Sequence, residues 1–377
     1  MARFVSGGEG VLVAARRDDA SARWLLVNDV AESRHVDLLL PRALLPARAQ
    51  LLALDPASGE TVPAAWRDQA DGFIVELDLT AHASVILIAA DLPATDVAPI
   101  RAALTRRVAI EDWTIQVVPE ADDGWCQLPV WRLHERGWQA LPGWQQSGFD
   151  DASWRRVSAH DGRAVASVSA VSCLLRTTLP PGADALRLPL PVSGEYLVYA
   201  NGALIEKRIG PPPADGLLTF AGRGLHDLLA IEVASCSGLA GLTTAVRVRC
   251  APVRIGALRA WSELGLDWFS GRVRYRATVD LTSVPAVAWL DLGAVQHCAE
   301  VWINGALAAH LPWPPYRCDC ARWLVAGANE IVVIVANTLA NRFTWDDAHP
   351  TRTGASWGVT PRAEPSGLIG PVTLELG

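Results

Sequence analysis

Short hydrophobic runs, separated by turn-forming residues, recur along the whole chain. In the first hundred residues they occupy 24–28, 36–40, 73–77 and 84–88 and are rich in Leu, Ile and Val. Short apolar runs bounded by turn residues are typical of β-strands, whereas amphipathic helices need a longer 3.6-residue period. No long segment of the chain shows a clear 3.6-residue period. The pattern therefore predicts an all-β chain whose helices are few and short.

One strand–turn–strand pattern occurs twice. Asn201-Gly202 and, about 100 residues later, Asn304-Gly305 lie between runs of β-branched and aromatic residues. Asn-Gly is the strongest short hairpin signal because a type I′ turn needs positive φ at both central positions. The similarity extends upstream, where residues 174–179 match 274–279. A period of about 100 residues suits a duplicated domain of seven or eight strands, so we predict two β-sandwiches in tandem.

A segment rich in Pro and Ala, around residues 92–99, separates these two sandwiches from an N-terminal unit. The predicted domains are residues 1–95, 96–252 and 253–377. The fold-class prediction is therefore all-β, with three β-sandwich domains, of which the last two are duplicates.

Composition narrows the function classes. The net charge of −7 comes without a basic stripe or tail, which argues against a nucleic-acid partner. The apolar stretches are shorter than the ~20 residues of a membrane helix, and no signal segment opens the chain. Membrane attachment is therefore not expected, and localisation stays open. The seven cysteines lack metal-ligand spacing. We expect them to be buried small hydrophobes, with no metal and no cofactor.

Tryptophan is enriched: there are 16 Trp against 4 Tyr and 6 Phe. Trp suits sugar binding because it combines a broad apolar ring with a polar N–H group, although we expect most of these rings in the core. Two segments of the third domain combine rings with amide and guanidinium groups. The candidate carbohydrate-binding residues there are Trp313, Tyr316, Asn337, Asn341, Arg342 and Trp345. The alternative is that the rings pack against a neighbouring domain and the asparagines cap turns.

A series of motifs in the third domain resembles the galactose-binding-like jelly roll of glycoside hydrolase family 2. The series begins with Ser270-Gly271-x-Val273-x-Tyr275 and continues through residues 290–293, 299–305 and 315–316. It ends with a Gly-x-Asn-Glu turn at residues 327–330. The second domain resembles the same jelly roll in a divergent form, with Gly224-Leu225-His226-Asp227 in place of the Gly-x-Asn-Glu turn. The first domain resembles the sandwich that follows the catalytic barrel in bacterial α-L-rhamnosidase-like hydrolases. The resemblance implies a plant or bacterial oligosaccharide or polysaccharide as partner.

Such hydrolases cleave glycosidic bonds with two carboxylates, usually held on a barrel of about 250 residues. Three sandwiches leave no room for that barrel in 377 residues. Adjacent acidic residues do occur, and we expect them to be solvated turn residues with no catalytic role. They are Asp18-Asp19, Asp122-Asp123, Asp150-Asp151 and Asp346-Asp347.

The sequence is therefore interpreted as the non-catalytic, carbohydrate-binding accessory region of an α-L-rhamnosidase-like glycoside hydrolase. In this interpretation the chain is truncated at its N-terminal side and its natural partner is a missing catalytic barrel. Two alternatives stay open: a self-standing lectin-like glycan-binding protein, and an active glycosidase whose site is built from sandwich loops.

Overall fold

A computed structural model of the chain describes residues 2–17, 21–45, 49–56, 61–91, 106–159, 165–167, 172–188, 195–209, 216–222, 224–234, 240–242, 244–345 and 362–377. Nearly all regular structure in these ranges is β-strand in antiparallel sheets, so the predicted all-β fold class is confirmed. Helices in the described part are short: α1 (Ala340–Trp345) and three 3₁₀ helices, Arg42–Leu44, Trp261–Leu264 and Ala321–Trp323.

The first sandwich consists of two sheets that pack face to face. Its strands are β1 (Arg3–Ser6), β2 (Val11–Arg17), β3 (Ser21–Asn28), β4 (Arg34–Pro41), β5 (Ala49–Leu54), β6 (Thr61–Pro63), β7 (Trp66–Gln69), β8 (Gly72–Leu79) and β9 (Ser84–Asp91). The strand orders are β1-β4-β8-β7 and β2-β3-β9-β5-β6. Trp24 and Leu26 of one sheet meet Leu38 of the other in a common core, while Leu25 between them is exposed, as the alternation of a strand requires. The four predicted hydrophobic runs coincide with β3, β4, β8 and β9, which confirms them.

The remaining strands build two further sandwiches. In chain order they are β10 (Arg106–Ala109), β11 (Trp113–Val118), β12 (Cys126–Leu128), β13 (Val130–Arg136), β14 (Arg155–Ser158), β15 (Val165–Ser167), β16 (Ser172–Thr178), β17 (Ala183–Arg187), β18 (Glu195–Ala200), β19 (Ala203–Ile209), β20 (Leu217–Thr219), β21 (Leu228–Ala234), β22 (Ala240–Leu242), β23 (Val246–Cys250), β24 (Val253–Gly256), β25 (Arg272–Leu281), β26 (Ala288–Asp291), β27 (Ala294–Gln296), β28 (Cys298–Ile303), β29 (Ala306–Leu311), β30 (Arg317–Asp319), β31 (Gly327–Ala336), β32 (Gly367–Gly370) and β33 (Thr373–Leu376). We name β12 to β23 the second sandwich, and β10, β11 and β24 to β33 the third sandwich.

The second and third sandwiches have the same strand order. The six-stranded sheet is β14-β13-β16-β21-β18-β19 in the second sandwich and β24-β11-β25-β31-β28-β29 in the third. The four-stranded sheet is β12-β23-β17-β20 in the second and β10-β33-β26-β30 in the third. Taken in chain order, each strand of these two sheets occupies the position of its counterpart in the other sandwich. The repeat detected in the sequence is therefore a repeat of the fold.

Strand pairing differs from the predicted domain limits at one point. Residues 106–118 lie within the predicted second domain, 96–252. In the structure, however, β10 pairs with β33, and β11 pairs with β24 and β25. By pairing, these residues belong to the third sandwich, and the second sandwich lies between β11 and β24 in the chain. The two sandwiches also share one continuous hydrophobic core. At their junction the His226 imidazole Nε2 lies 2.9 Å from the main-chain oxygen of Glu263.

Both Asn-Gly pairs form the predicted two-residue hairpin turns. The φ angles are +49° and +82° at Asn201 and Gly202, and +50° and +80° at Asn304 and Gly305. The flanking strands pair directly across each turn, β18 with β19 and β28 with β29. Positive φ at both central positions is the signature of the type I′ turn, which confirms the hairpin prediction.

Each turn asparagine also ties its hairpin to the neighbouring strand. The side-chain amide of Asn304 donates to Oδ1 of Asn329 at 2.9 Å, and that of Asn201 donates to Oδ1 of Asp227 at 2.8 Å. In both turns the asparagine Oδ1 accepts a main-chain N–H from the residue after this partner. Asp227 therefore takes the place of Asn329, which is how the second sandwich keeps the contact without the Gly-x-Asn-Glu turn.

Replacing Gly305 with Val should lower the free energy of unfolding by roughly 1–3 kcal/mol, because a β-branched residue resists positive φ. A Cβ at this position would meet no other atom within 4 Å, so the cost is confined to the backbone. Gly137 provides a matched control, since its surroundings are equally open and its φ is not positive. We expect Gly137→Val to melt like the wild type in thermal unfolding followed by circular dichroism. Equal melting temperatures for both variants and the wild type would contradict the turn assignment.

The cysteines in the described part of the chain are free thiols and mostly buried, as predicted. The buried ones are Cys126, Cys173, Cys250, Cys318 and Cys320. Burial raises the pKa of the Cys318 thiol to about 12, because the charged thiolate would lose its hydration there.

Candidate functional site

The two aromatic residues of the proline-rich loop between β29 and β30 have different surroundings. The Trp313 side chain is exposed, at 39% of its full accessible surface. Tyr316 is half-buried against the core, and its hydroxyl donates to the main-chain oxygen of His297. Burial raises the pKa of Tyr316 to about 12. Of these two predicted residues, Trp313 presents a ring to solvent and Tyr316 fixes the loop.

The predicted amide groups are engaged in hydrogen bonds within the protein. Asn337 accepts from the main-chain N–H of Gly271 at 2.9 Å and donates to the oxygen of Phe269 at 2.8 Å. Asn341 is only 4% exposed, accepts from the N–H of Glu364 at 2.7 Å and donates to its oxygen at 3.1 Å. Both amides also donate to the same hydroxyl, that of Ser366. The two asparagines therefore connect the segment before β32 with α1 and with the segment that precedes β25.

Arg342 and Trp345 face the second sandwich. Nη1 of Arg342 lies 3.8 Å from Oε1 of Glu120. The Trp345 ring centroid lies 5.7 Å from the guanidinium carbon of Arg132 and 5.8 Å from that of Arg156. Guanidinium groups within about 6 Å of an indole are attracted by the negative face of the ring. These two predicted residues therefore form part of the junction between the sandwiches.

A polar network connects several of the predicted residues. Nε2 of His297 lies 2.9 Å from Oε2 of Glu364, and the Thr338 hydroxyl donates to the same oxygen at 3.2 Å. Because Tyr316 bonds to His297 and Asn341 bonds to Glu364, the network brings Tyr316 and Asn341 together, while Trp313 has no bond to it among the described contacts. Sequence reasoning missed His297 and Glu364, since neither belongs to a motif and the two residues lie far from each other in the chain.

The acidic pairs in the described part of the chain have structural partners. Asp123 forms an ion pair with Arg247, whose hydrogen bond lowers the pKa of the Asp123 carboxyl. Asp150 accepts the main-chain N–H of Ala152 at 3.0 Å, as expected of a turn residue. Asp151 differs from the expectation of a solvated residue, because it pairs with the buried Arg176. The pairs Asp18-Asp19 and Asp346-Asp347 lie outside the described residues.

A buried arginine organises the segment between β13 and β14, which we call the Trp-rich segment because it contains Trp138, Trp144 and Trp154. Arg176 is 3% exposed, and its Nε donates to Oδ2 of Asp151 at 2.7 Å. Its Nη1 donates to the main-chain oxygens of Trp144 and Gln146. The guanidinium carbon also lies 5.5 Å from the Phe149 ring centroid. One guanidinium thus holds several turns of the segment together, and no sequence motif marks it.

Two further properties concern the described residues alone. No three His, Cys, Asp or Glu side chains among them converge as a possible metal-ligand set. None of the helices found in this part of the chain has the length and apolar character needed to cross a bilayer.

Comparison with known proteins gives partial matches. No protein-family model matches the chain. A stretch of 105 residues is 32% identical to part of a protein named "Putative beta-glucuronidase" from Formosa agariphila, covering 26% of this chain and 9% of that protein. Among solved structures, the rhamnosidase from Novosphingobium sp. PP1Y is similar to this chain with a TM-score of 0.48 and 18% sequence identity. The match covers 99% of this chain and 24% of the rhamnosidase chain. The β-glucuronidase of Bacteroides uniformis matches 62% of this chain and 28% of its own, with a TM-score of 0.25 and 13% identity.

These relatives are glycosidases. The chain is thus similar to parts of glycoside hydrolases and spans a minor share of each, about a tenth of the curated relative and about a quarter of the rhamnosidase. The similarity is to glycosidases of more than one specificity, so it does not single out rhamnosidases.

Proposed function

We propose that the chain is an accessory β-sandwich region of a glycosidase, which contacts carbohydrate without performing the hydrolysis. The observation that carries the proposal is the 105-residue stretch that is 32% identical to part of the protein named "Putative beta-glucuronidase". The motifs shared with the family 2 jelly roll, and their duplication in a second sandwich with the same strand order, support it.

The surroundings of the acidic residues also support a role outside the chemical step. A glycosidase needs two carboxyl groups across one glycosidic bond, at a separation of about 5–10 Å. Asp123 is paired with Arg247, and Asp151 is paired with the buried Arg176. These contacts are those expected of carboxylates with a structural role.

We further propose a rhamnosidase-like parent enzyme, with a catalytic barrel as partner of these sandwiches. Within the candidate carbohydrate site, we assign direct sugar contact to Trp313, whose ring is open to solvent. Tyr316, Asn337 and Asn341 are assigned to positioning, because their polar groups are bonded within the protein.

The purified chain should release no nitrophenol from a panel of aryl α-L-rhamnosides, β-glucuronides and β-galactosides. A rhamnosidase and a β-glucuronidase assayed on the same substrates serve as positive controls. Sustained release that is lost in a single Asp or Glu variant of unchanged melting temperature would contradict the proposal. It would favour a catalytic site in the sandwich loops.

A further inference from the structure

We propose that a cleft between the first and third sandwiches is a binding site for a neutral oligosaccharide. This inference rests on the proposed function and adds a second site beside the Trp313 loop, whose Pro315 lines the cleft. The cleft has a volume of about 1080 Å³ and is lined by residues of both sandwiches. Ligand sites typically measure about 300–1,000 Å³ and occur preferentially between domains, so both its size and its place suit a ligand.

The floor of the cleft includes the outer face of the sheet β10-β33-β26-β30. On β26, Ala288 and Leu290 are buried, so Trp289 between them points outward. The Arg317 guanidinium carbon lies 4.8 Å from the Trp289 ring centroid, and Arg317 is itself fixed by an ion pair with Glu375. Trp289 is therefore a ring on a rigid strand whose orientation is set before any ligand arrives.

A second ring lines the cleft from the 3₁₀ helix Ala321–Trp323. The Arg322 guanidinium carbon lies 3.9 Å from the centroid of the Trp323 ring. The main-chain oxygen of Trp323 accepts from the side chain of Asn304 at 2.9 Å, which anchors this helix to the Asn-Gly hairpin. Each ring extends from a fixed stretch of backbone and lies against an arginine guanidinium group. Ligand binding would therefore cost little side-chain entropy.

The opposite wall comes from the first sandwich and includes several apolar side chains. Val62, Leu77 and Val85 contribute aliphatic surface, and the Val62 side chain is 55% exposed. Thr80 and Ser84 add hydroxyl groups beside them. A sugar has C–H faces for the aliphatic and aromatic surface and hydroxyl groups for the polar side chains, so this mixture fits a saccharide.

The charges in the cleft favour a neutral ligand. Its charged and titratable side chains are Arg317, Arg322, His310, Asp55, Asp78 and Asp319. Arg317 is paired with Glu375 and Asp78 is paired with His35. Neither sign of charge dominates, so we commit to a neutral sugar chain and exclude a uronic acid.

The test is calorimetric titration of the full chain with neutral rhamnose- and galactose-containing oligosaccharides, and with glucuronate-containing ones. Trp323→Ala and Trp289→Ala should each weaken binding of the neutral ligand at least tenfold, with near-ultraviolet circular dichroism checking the fold. Trp323→Phe keeps a ring in place and should retain most of the affinity. Trp138→Ala is the matched control, because Trp138 is 91% exposed and lies outside the cleft.

The outcomes separate this inference from the proposed function. Binding that survives both cleft variants but is lost in Trp313→Ala would overturn the cleft and leave the proposed function standing. Absence of binding by the wild type would overturn both. Binding restricted to glucuronate-containing ligands, and weakened by Arg322→Gln, would overturn the assignment to neutral sugars.

Discussion

Replacing Arg176 with Met should lower the free energy of unfolding by about 3–5 kcal/mol, the range for breaking a buried ion pair by removing one partner. The substitution leaves the Asp151 carboxylate without its closest cation in a partly buried site, with only Arg132 at 3.4 Å. It also removes the donor to the carbonyl oxygens of Trp144 and Gln146. We expect the Trp-rich segment to loosen, and urea unfolding followed by tryptophan fluorescence measures the change.

The repeat offers a matched control for this prediction. Arg276 occupies the corresponding strand of the third sandwich, where its Nε lies 3.1 Å from Oε1 of Glu330. Both side chains of that pair are largely exposed, so Arg276→Met should cost only about 0–1 kcal/mol. Equal effects of the two substitutions would contradict the role assigned to Arg176.

Raising the pH from 10 to 12 should destabilise the protein by up to about 3 kcal/mol through Tyr275 alone. Burial raises the pKa of Tyr275 to about 12, against an ordinary value of 10.0, because the phenolate would lose its hydration. Below pH 10 the phenol is protonated in both the folded and the unfolded state, so its contribution to stability is fully present. Between pH 10 and about 12 only the unfolded state releases the proton, so the free energy of unfolding falls.

Tyr275→Phe separates this effect from other alkaline effects. The Tyr275 hydroxyl accepts from Nε1 of Trp261 at 2.7 Å and from the main-chain N–H of Leu368 at 3.2 Å. The variant leaves both buried donors unpaired, so we expect it to be less stable than the wild type at pH 8. It should also lose less stability between pH 10 and 12 in urea titrations. Parallel stability curves for the two proteins would contradict the buried phenol as the cause.

Much of the fold could be predicted because its signals are local. The turn at Asn304-Gly305 and its earlier copy depend on the φ preferences of two adjacent residues, and the strands beside them on the alternation of short runs. The membership of β10 and β11 could not be predicted in this way. Which sheet a strand joins depends on partners far away in the chain, as in the contact of Arg107 with Glu375, 268 residues later.

The surroundings of the candidate site residues could not be predicted, because composition does not show where a polar group points. Asn337 and Asn341 have the residue type of a sugar ligand, yet their amides bond to Gly271, Phe269 and the 364–366 segment. The Trp345 ring meets arginines of the second sandwich, a contact that its residue type does not indicate. The cleft between the first and third sandwiches could not be predicted from the sequence, since its walls come from segments at least 200 residues apart, as Val85 and Pro285 are.

Saturation-transfer NMR of the intact chain with neutral rhamnose- and galactose-containing oligosaccharides shows whether the chain contacts carbohydrate without hydrolysing it. One sample reports both binding and turnover. We expect saturation transfer to the sugar protons and, over many hours, no new reducing-end anomeric signals. Absence of transfer, or the appearance of such signals, would contradict the proposed function.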